Sequence, residues 1–445
     1  MPRGAGPALA AAAGAAIVAA VAQLGADLGW AAELGRLIVD RGSIPDGIPF
    51  AAAPSHGWPN VPVVGEVLLG LLWNGLGSRG LMLAQAAASA AAFAVVAADA
   101  RAAGARGLQT PAALALVALG GLSTLAVVRV QLFSLALFPG LVYLLRAEAR
   151  VASRRIWLLV PLVAVWTNLH GGVLLGVLVA ATYLVFHRAR TELGTAAAVL
   201  AAALLALCAT PALHRTVAYY AGVFGNEAAA RGVGLWARPS LHSALDVLLL
   251  VSAAALVVLA LRARPPLWEI LCLAGLSVAT LMAGRNGIWL LLFAAPRAAT
   301  ALPDRLAERP RRNLAAAALA AGAVTAFAYG VVRDPANAHA SHSLVEDALA
   351  RAGGSAVLAT PALAEQLILA GGRVWISNPL DAFPEEDQAV YLDWLEGLPS
   401  GDALLRRVSV VAAQANSPPA RRLEHDPRFA ESASDGAAIV FVRAG

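Results

Sequence analysis

Long apolar runs separated by short polar segments dominate the first three quarters of the chain. They recur at about 8–26, 63–77, 80–98, 110–128, 130–146, 156–170, 171–186, 194–211, 245–262, 267–283, 286–302 and 314–332. A run near 20 residues is typical of a helix that crosses a bilayer. The pattern predicts a mainly α fold, a polytopic transmembrane helical bundle of about 11–12 apolar segments within residues 1–333. Because many runs follow the first one, we expect a retained helix there rather than a signal peptide.

The pattern changes in residues 334–445, where acidic residues become common and apolar runs become short. Strands are predicted at 356–359, 373–376, 408–412 and 437–442, with helices at 361–369 and 385–396. Strands that alternate with helices are typical of an α/β unit with a partly parallel sheet. The sequence therefore predicts a small soluble α/β domain after the bundle.

Composition supports lipid as the solvent of the bundle. The chain is 59% hydrophobic and 14% charged, with a mean hydropathy of +0.69, whereas roughly a quarter of an ordinary soluble domain is charged. The net charge of +5 comes from arginines scattered between apolar runs, which excludes a nucleic-acid-binding patch. Cys208 and Cys272 both lie inside apolar runs, so neither a structural disulfide nor a zinc site is expected.

The arginines also predict an orientation. Short loops at 99–107, 146–155, 187–190, 262–264 and 297–312 are basic, as is typical of cytoplasmic loops. With these loops inside, the first loop (27–62), the second large loop (212–244) and the tail lie outside. The absence of lysine and the abundance of alanine indicate a GC-rich bacterial genome, so we expect a multi-pass bacterial plasma-membrane protein. The run 63–77 leaves one alternative open. Either it is re-entrant or interfacial, or it crosses the membrane, and the first loop then lies on the cytoplasmic side.

Candidate chemistry concentrates in the first loop. Asp27 stands where the first apolar run ends, and residues 31–41 have the spacing of an amphipathic helix at the membrane surface. A carboxylate at the membrane face is suited to accept a proton from a hydroxyl group. His56 and Trp58 later in the loop could form a corner on which a sugar ring stacks, although tryptophan is equally common as an interfacial anchor.

Three further segments carry polar residues on the predicted outer face. They are Arg129 to Ser134 (RVQLFS), Trp166 to Gly172 (WTNLHGG) and Gly284 to Asn286 (GRN). His170 and Asn168 are candidates for binding polar groups of a substrate, or for hydrogen bonding within the turn. Asn378 and Asp381 follow a predicted strand and are placed either in a turn or at a site. His339 and His342 are only a weak metal-binding pair, since nothing completes a coordination site.

These three segments, together with a first helix, an acidic residue at its outer end and a surface helix, resemble the GT-C superfamily of membrane glycosyltransferases. This superfamily includes protein O-mannosyltransferases and aminoarabinose transferases. The resemblance implies that Asp27 is the general base or orients the acceptor, and that the donor is a sugar on a polyprenyl phosphate. It also implies inversion at the anomeric carbon. Arg129, Arg231, Arg238 and Arg285 are then the candidates that bind the leaving phosphate.

The chain departs from better-known members in that Leu28, not a second acidic residue, follows Asp27. No metal ligand is therefore assigned, and the sequence leaves open whether a divalent cation takes part. The expected partners are a lipid-linked sugar donor, membrane lipids and a glycan, lipid or protein acceptor. Two alternatives remain. One is a transporter or lipid flippase. The spans contain almost no charged residue other than Glu66, and this disfavours transport. The other is a non-catalytic scaffold with an envelope-binding tail.

Overall fold

A computed structural model of the chain describes residues 5–25, 27–303 and 340–444. The predicted run at 314–332 and His339 lie outside the described residues. The chain divides into two compact units. The bundle unit holds the described residues of Met1–Ala22, Met82–Thr210 and Gly232–Arg333, and the sheet unit holds those of Gln23–Leu81, Pro211–Arg231 and the C-terminal segment 340–444.

The bundle unit is helical, as the apolar runs predict. Its helices are Ala5–Val21, the later part of Val63–Ala102, Gln109–Gly120, Leu122–Ala126, Leu132–Arg150, Leu159–Thr167, Val173–Phe186, Leu193–Ala206, Ala244–Arg262, Leu267–Met282 and Gly287–Thr300. Among the described residues, four stretches are long and apolar enough to cross a membrane: Val63–Ala102, Leu132–Arg150, Val173–Arg190 and Ala244–Arg262. Several shorter helices are also apolar. The predicted polytopic helical membrane fold is confirmed.

Small residues let the helices of this unit approach closely. Ala244–Arg262 packs against both Gln109–Gly120 and Gly287–Thr300. A Cβ atom at Gly120 would lie 2.7 Å from the Cβ of Ser252, so a larger residue there would force the helices apart. Packing through glycine is common where lipid removes the hydrophobic driving force between helices.

Four charged side chains of the bundle unit, Asp99, Arg146, Glu269 and Arg297, form what we call the buried ion cluster. The first three are buried and Arg297 is half-buried. Arg146 Nη1 lies 2.7 Å from Asp99 Oδ2, and its Nη2 lies 2.9 Å from Glu269 Oε2. Arg297 Nη2 lies 2.6 Å from the other Glu269 oxygen. All four residues lie near the ends of their helices, so the expectation of almost no charge in the middle of the spans other than Glu66 stays a prediction. Arg146 and Arg297, which the sequence places in basic loops, lie inside helices because buried carboxylates neutralise them.

The two apolar runs at 63–77 and 80–98 form one helix, Val63–Ala102, which breaks at Gly77. Gly77 has φ 58° and ψ −147°, a conformation that only glycine adopts readily. The residues before Met82 belong to the sheet unit and those after Leu81 belong to the bundle unit. The break therefore coincides closely with the boundary between the two units.

Before the break, this helix packs on the surface helix Gly29–Arg41. A Cβ atom at Gly35 would overlap the carbonyl oxygen of Glu66, and one at Gly70 would lie 2.5 Å from the main-chain nitrogen of Arg36. The Glu66 side chain is buried and accepts a 2.6 Å hydrogen bond from Asn60 Nδ2. Glycines thus allow the two helix backbones to touch, and Asn60 compensates one oxygen of the buried carboxyl.

The sheet unit is built on a mixed four-stranded sheet. Leu358–Ala359 runs parallel to Val410–Gln414, which pairs antiparallel with Ala438–Arg443, and Phe429–Ser434 forms the outer strand. The helices of this unit, apart from the first part of Val63–Ala102, are Gly29–Arg41, Thr216–Gly225, Glu227–Arg231, His342–Ala352, Pro361–Leu369, Glu385–Leu395, Asp402–Leu405 and Pro418–Leu423. The strand predicted at 373–376 is replaced by isolated bridges at Val374, because one of its neighbours is the irregular first loop.

Both large loops fold onto the C-terminal segment. The main-chain N–H of Ala52 donates to the carbonyl of Val374 at 2.9 Å. In the second loop, Arg231 Nη1 lies 2.6 Å from Asp393 Oδ1, and the N–H of Glu227 donates to Gln388 Oε1 at 3.0 Å. The linear boundary at residues 333 and 334 stays a prediction, since it falls outside the described residues.

Candidate functional site

Asp27 lies in the turn before the surface helix and is half-buried, with its Oδ1 atom shielded from solvent. The first turn of that helix is held by Glu365, whose Oε2 accepts the main-chain N–H of Trp30 at 2.7 Å. The other Glu365 oxygen accepts a 3.1 Å hydrogen bond from Ser377 Oγ. A carboxylate at a helix N-terminus satisfies donors that the helix itself leaves unpaired.

Glu365 and Asp27 are electrostatic neighbours. Burial, reinforced by the negative charge of Asp27, raises the pKa of Glu365 to about 8, while the hydrogen bond from Trp30 opposes the shift. The sheet unit therefore places two carboxyl groups at the start of the surface helix, one buried and one half-buried. A small pocket beside them is lined by Leu24, Gly25, Leu28, Gly29, Ala362, Glu365, Gln366 and Leu369.

Trp58 lies in the interior of the sheet unit. Its Nε1 donates to Asp381 Oδ2 at 2.9 Å, and its ring packs against Trp30 and Tyr219 with centroids 6.3 and 6.0 Å away. Burial raises the pKa of Asp381 to about 6, although the bond from Trp58 opposes this. His56 is exposed and lies 3.5 Å from Asp46. The predicted sugar-stacking corner is not formed, because Trp58 is used to join the first loop, the second loop and the C-terminal segment.

In the bundle unit, the segments 129–134 and 166–172 meet at His170. Ser134 Oγ lies 2.7 Å from His170 Nδ1 and accepts a 2.7 Å hydrogen bond from Trp166 Nε1. The main-chain N–H of Gly172 also donates to His170 Nδ1, at 3.0 Å. These bonds assign the tautomer: Nδ1 accepts, the Ser134 hydroxyl donates to it, and the ring proton sits on Nε2.

His170 is neutral at physiological pH. Burial, together with the charge of the nearby Arg285 guanidinium, lowers its pKa to about 3. The imidazole is therefore neither a cation nor a free base, and Nε2–H remains as its hydrogen-bond donor. We name Ser134, Trp166, His170, Gly172 and Arg285 the histidine cluster.

Arg285 belongs to the third polar segment identified in the sequence, Gly284 to Asn286, and adds it to this cluster. Its guanidinium lies 3.7 Å from the centre of the Trp236 ring, an arrangement that favours a cation. The N–H of Gly284 donates to the carbonyl of Ala237 at 3.0 Å, which fixes the turn. Arg129 is half-buried, and its Nε is shielded from solvent without a hydrogen-bond partner among the described residues.

Three other predicted residues have different surroundings. Asn168 Nδ2 donates to the carbonyls of Ala164 and Ala209 at 2.8 and 2.6 Å, so both amide protons are used inside the bundle unit. Arg231 is paired with carboxylates and holds the second loop on the helix Glu385–Leu395. Arg238 is exposed. The ion pairs of Arg231 therefore favour a structural role over the phosphate-binding role that the sequence predicts.

Several residues of these sites were not singled out from the sequence. Ser134 and Trp166 stand inside the quoted motifs, but only their contact with His170 shows why they matter. Glu365 is the one charged residue in the helix Pro361–Leu369, and that isolation was a usable signal. Trp236 gave none, since a tryptophan in a loop has many roles.

The two sites offer different chemistry. The histidine cluster combines a neutral N–H donor with a guanidinium, a set that binds an oxyanion. The start of the surface helix offers carboxyl groups, which accept protons. Within residues 5–25, 27–303 and 340–444, no group of three or more His, Cys, Asp or Glu side chains is placed to hold a metal ion.

Comparison with known proteins identifies the fold. The chain is similar to the crystal structure of ArnT from Cupriavidus metallidurans bound to undecaprenyl phosphate, with 14% identity and a TM-score of 0.55. The apo structure of the same protein gives 14% identity and a TM-score of 0.53, and in both cases 96% of this chain and 95% of that chain are covered. No family model and no curated protein sequence matches. The chain thus shares the fold of that protein along nearly its whole length.

Proposed function

We propose that this chain, a membrane protein with the ArnT fold, is a glycosyltransferase that takes a sugar from a polyprenyl-phosphate-linked donor. The observation that carries the proposal is the extent of the similarity to a protein crystallised with undecaprenyl phosphate, which covers 96% of this chain. At 14% identity the similarity indicates a shared fold. The proposed activity therefore also depends on the arrangement of individual residues.

The histidine cluster supports a phosphate-binding role in the bundle unit. Arg285 is cationic and packed on Trp236, and neutral His170 retains its Nε2–H donor. Arg129 has a buried Nε donor for which the described residues provide no acceptor. Guanidinium groups bind phosphate oxygens through two parallel hydrogen bonds. These donors would stabilise the charge that develops on the phosphate as it leaves.

Asp27 supports a role as general base. In the proposed step, the acceptor hydroxyl oxygen attacks the anomeric carbon and its proton passes to the Asp27 carboxylate. The bond from that carbon to the phosphate oxygen breaks, so the products are the glycosylated acceptor and the polyprenyl phosphate. A base of this kind contributes typically 10²–10⁴-fold to rate. Glu365 would act as a positioning residue, because it holds the helix that follows Asp27.

The phosphate-binding role is tested with purified protein in detergent and undecaprenyl phosphate. Arg285→Gln and Arg129→Gln should each weaken binding about 10- to 100-fold, since a charge-assisted hydrogen bond contributes about 1.5–3 kcal/mol. Arg262→Gln removes an exposed arginine at the end of the helix Ala244–Arg262 and is the matched control. Equal affinity in all three variants and the native protein would remove the assignment.

The base role is tested by turnover of undecaprenyl-phosphate-linked sugars extracted from the native envelope. Asp27→Asn should lower the rate about 100-fold or more while undecaprenyl phosphate still binds. Asp46→Asn, at an exposed carboxylate of the same loop, should keep the native rate. A native rate in Asp27→Asn, at equal amounts of folded protein, would contradict the role.

The second candidate function is a transporter or lipid flippase, and the buried ion cluster is the observation in its favour. Ionisable residues inside spans often mark transport pathways. In this cluster, however, Arg146 and Glu269 are paired at 2.9 Å, as is expected of a structural element. Movement of a fluorescent polyprenyl phosphate between leaflets of proteoliposomes, without release of sugar, would favour this function over transfer.

A further inference from the structure

Arginines are unevenly distributed in the C-terminal segment. Residues 340–444 contain eight arginines and fourteen carboxylate residues, yet four of the eight arginines line a single open cleft. This arginine cleft has a volume of about 440 Å³ and is lined chiefly by Arg373, Arg406, Arg407, Arg443, Trp375 and Ser409. No lining residue carries a carboxylate. A segment that is acidic overall thus concentrates positive charge at one place.

The charge of the cleft is only partly neutralised. Arg443 donates to the main-chain carbonyl of Val408 at 2.8 Å, a bond that leaves its charge in place. Arg407 lies 3.6 Å from Asp387. Arg373 and Arg406 are exposed, and no carboxylate of the described residues lies within ion-pair distance of either. Grouped cations repel one another unless an anion lies among them.

Trp375 adds an unsatisfied donor. Arg407 lies over its ring at 5.3 Å, and its main-chain N–H is bound to the carbonyl of Val357 at 2.9 Å. Its indole Nε1 is shielded from solvent and has no hydrogen-bond partner among the described residues. Leaving a buried donor unpaired costs about 1–3 kcal/mol. Because this donor is shielded, ligand binding in the cleft is attributed to the arginines and Ser409.

We propose that the arginine cleft binds a phosphate monoester. Guanidinium forks match the geometry of phosphate oxygens, and the exposed Ser409 hydroxyl adds a donor to the same cleft. A phosphate monoester carries about −1.5 to −2 charge at pH 7, which suits several arginines better than a singly charged carboxylate does. None of the cleft residues belongs to the residues assigned to sugar transfer, so this site is additional to that activity.

The test uses the purified full-length chain in phosphatidylcholine nanodiscs, titrated calorimetrically with two probes. Glycerol 3-phosphate represents a soluble ester, and dihexanoyl phosphatidic acid represents a lipid headgroup. The double variant Arg373→Gln/Arg406→Gln should weaken binding at least about 100-fold, since each charge-assisted bond is worth about tenfold or more. Arg351→Gln/Arg421→Gln removes the same charge elsewhere in the segment and should bind as the native chain does.

Binding of either probe supports the site, and the tighter probe identifies the source of the phosphate. Failure of both probes to bind, or equal losses in the two double variants, would overturn the proposal. Both double variants alter exposed side chains, so equal melting temperatures confirm that folding is unchanged.

Discussion

The Glu365 carboxyl group accepts the main-chain N–H of Trp30 at 2.7 Å, across 335 positions of sequence. This bond fixes the first turn of the surface helix Gly29–Arg41 on the C-terminal helix Pro361–Leu369. A Cβ atom at Gly29 would lie 2.8 Å from the main-chain oxygen of Glu365, so glycine is needed for the two helices to meet. The position of Asp27, two residues earlier, therefore depends on the tail of the chain.

The first prediction concerns the pH dependence of stability through Glu365. Burial raises its pKa from the ordinary 4.5 to about 8, so between these values the folded chain holds a proton that the unfolded chain has released. The stabilisation is complete at low pH and is lost as the pH rises towards 8, by up to about 1.4 kcal/mol per unit. The pKa of Asp381 is also raised, from 3.8 to about 6. Its titration therefore lowers the stability with rising pH in the same way, but over a lower pH range.

Glu365→Gln should therefore flatten the fall of the melting temperature between pH 6 and pH 8, because the amide does not titrate there. The amide oxygen can still accept the Trp30 N–H. Glu385→Gln, at an exposed glutamate of the same unit, is the control and should follow the native curve. Parallel native and Glu365→Gln curves would show that Glu365 titrates normally.

The second prediction concerns the packing of the histidine cluster. A Cβ atom at Gly172 would lie 2.6 Å from Ser134 Oγ and 2.8 Å from His170 Nδ1. Gly172→Ala should therefore lower the stability by about 1–3 kcal/mol, as overpacking does, and should weaken undecaprenyl phosphate binding. Gly275→Ala is the matched control, because nothing lies within 4 Å of its added Cβ. Thermal melting in detergent that ranks Gly172→Ala equal to Gly275→Ala would refute the described geometry.

The third prediction concerns the buried ion cluster. Arg146→Met leaves Asp99 with only Arg150, 3.9 Å away and partly exposed. Removing one partner of a buried pair typically costs about 3–5 kcal/mol, so the melting temperature should fall strongly. Arg150→Met removes the same type of residue from a partly exposed position and should cost less than about 1 kcal/mol. Similar losses in both variants would mean that Arg146 is hydrated.

The fourth prediction concerns the sides of the membrane. Because the first loop and the C-terminal segment form one unit, Ser43→Cys and Ser343→Cys should both react with an impermeant maleimide in intact cells. Ala102→Cys, at the basic loop 99–107, should react only after permeabilisation. The native chain, with Cys208 and Cys272, gives the background. Opposite labelling of Ser43→Cys and Ser343→Cys would contradict a shared side, and inverted labelling of all three would reverse the orientation.

The sequence by itself determined the class of the fold. Apolar runs predict helices in lipid, because a bilayer leaves backbone groups no partner outside the helix. The surface helix was predicted at 31–41 and begins two residues earlier, at Gly29, and the helix at 361–369 has the predicted limits. Periodicity is a local property, so local pattern was sufficient for these elements.

Only the tertiary structure decided which polar groups meet. His170 acquires its tautomer from Ser134, 36 positions away, and Trp58 is drawn into the interior by Asp381, 323 positions away. The sequence places Arg146 in a basic loop, whereas in the structure it forms ion pairs with Asp99 and Glu269. The protonation state and role of a side chain depend on partners from other segments of the chain. The spacing of residues along one segment does not predict those partners.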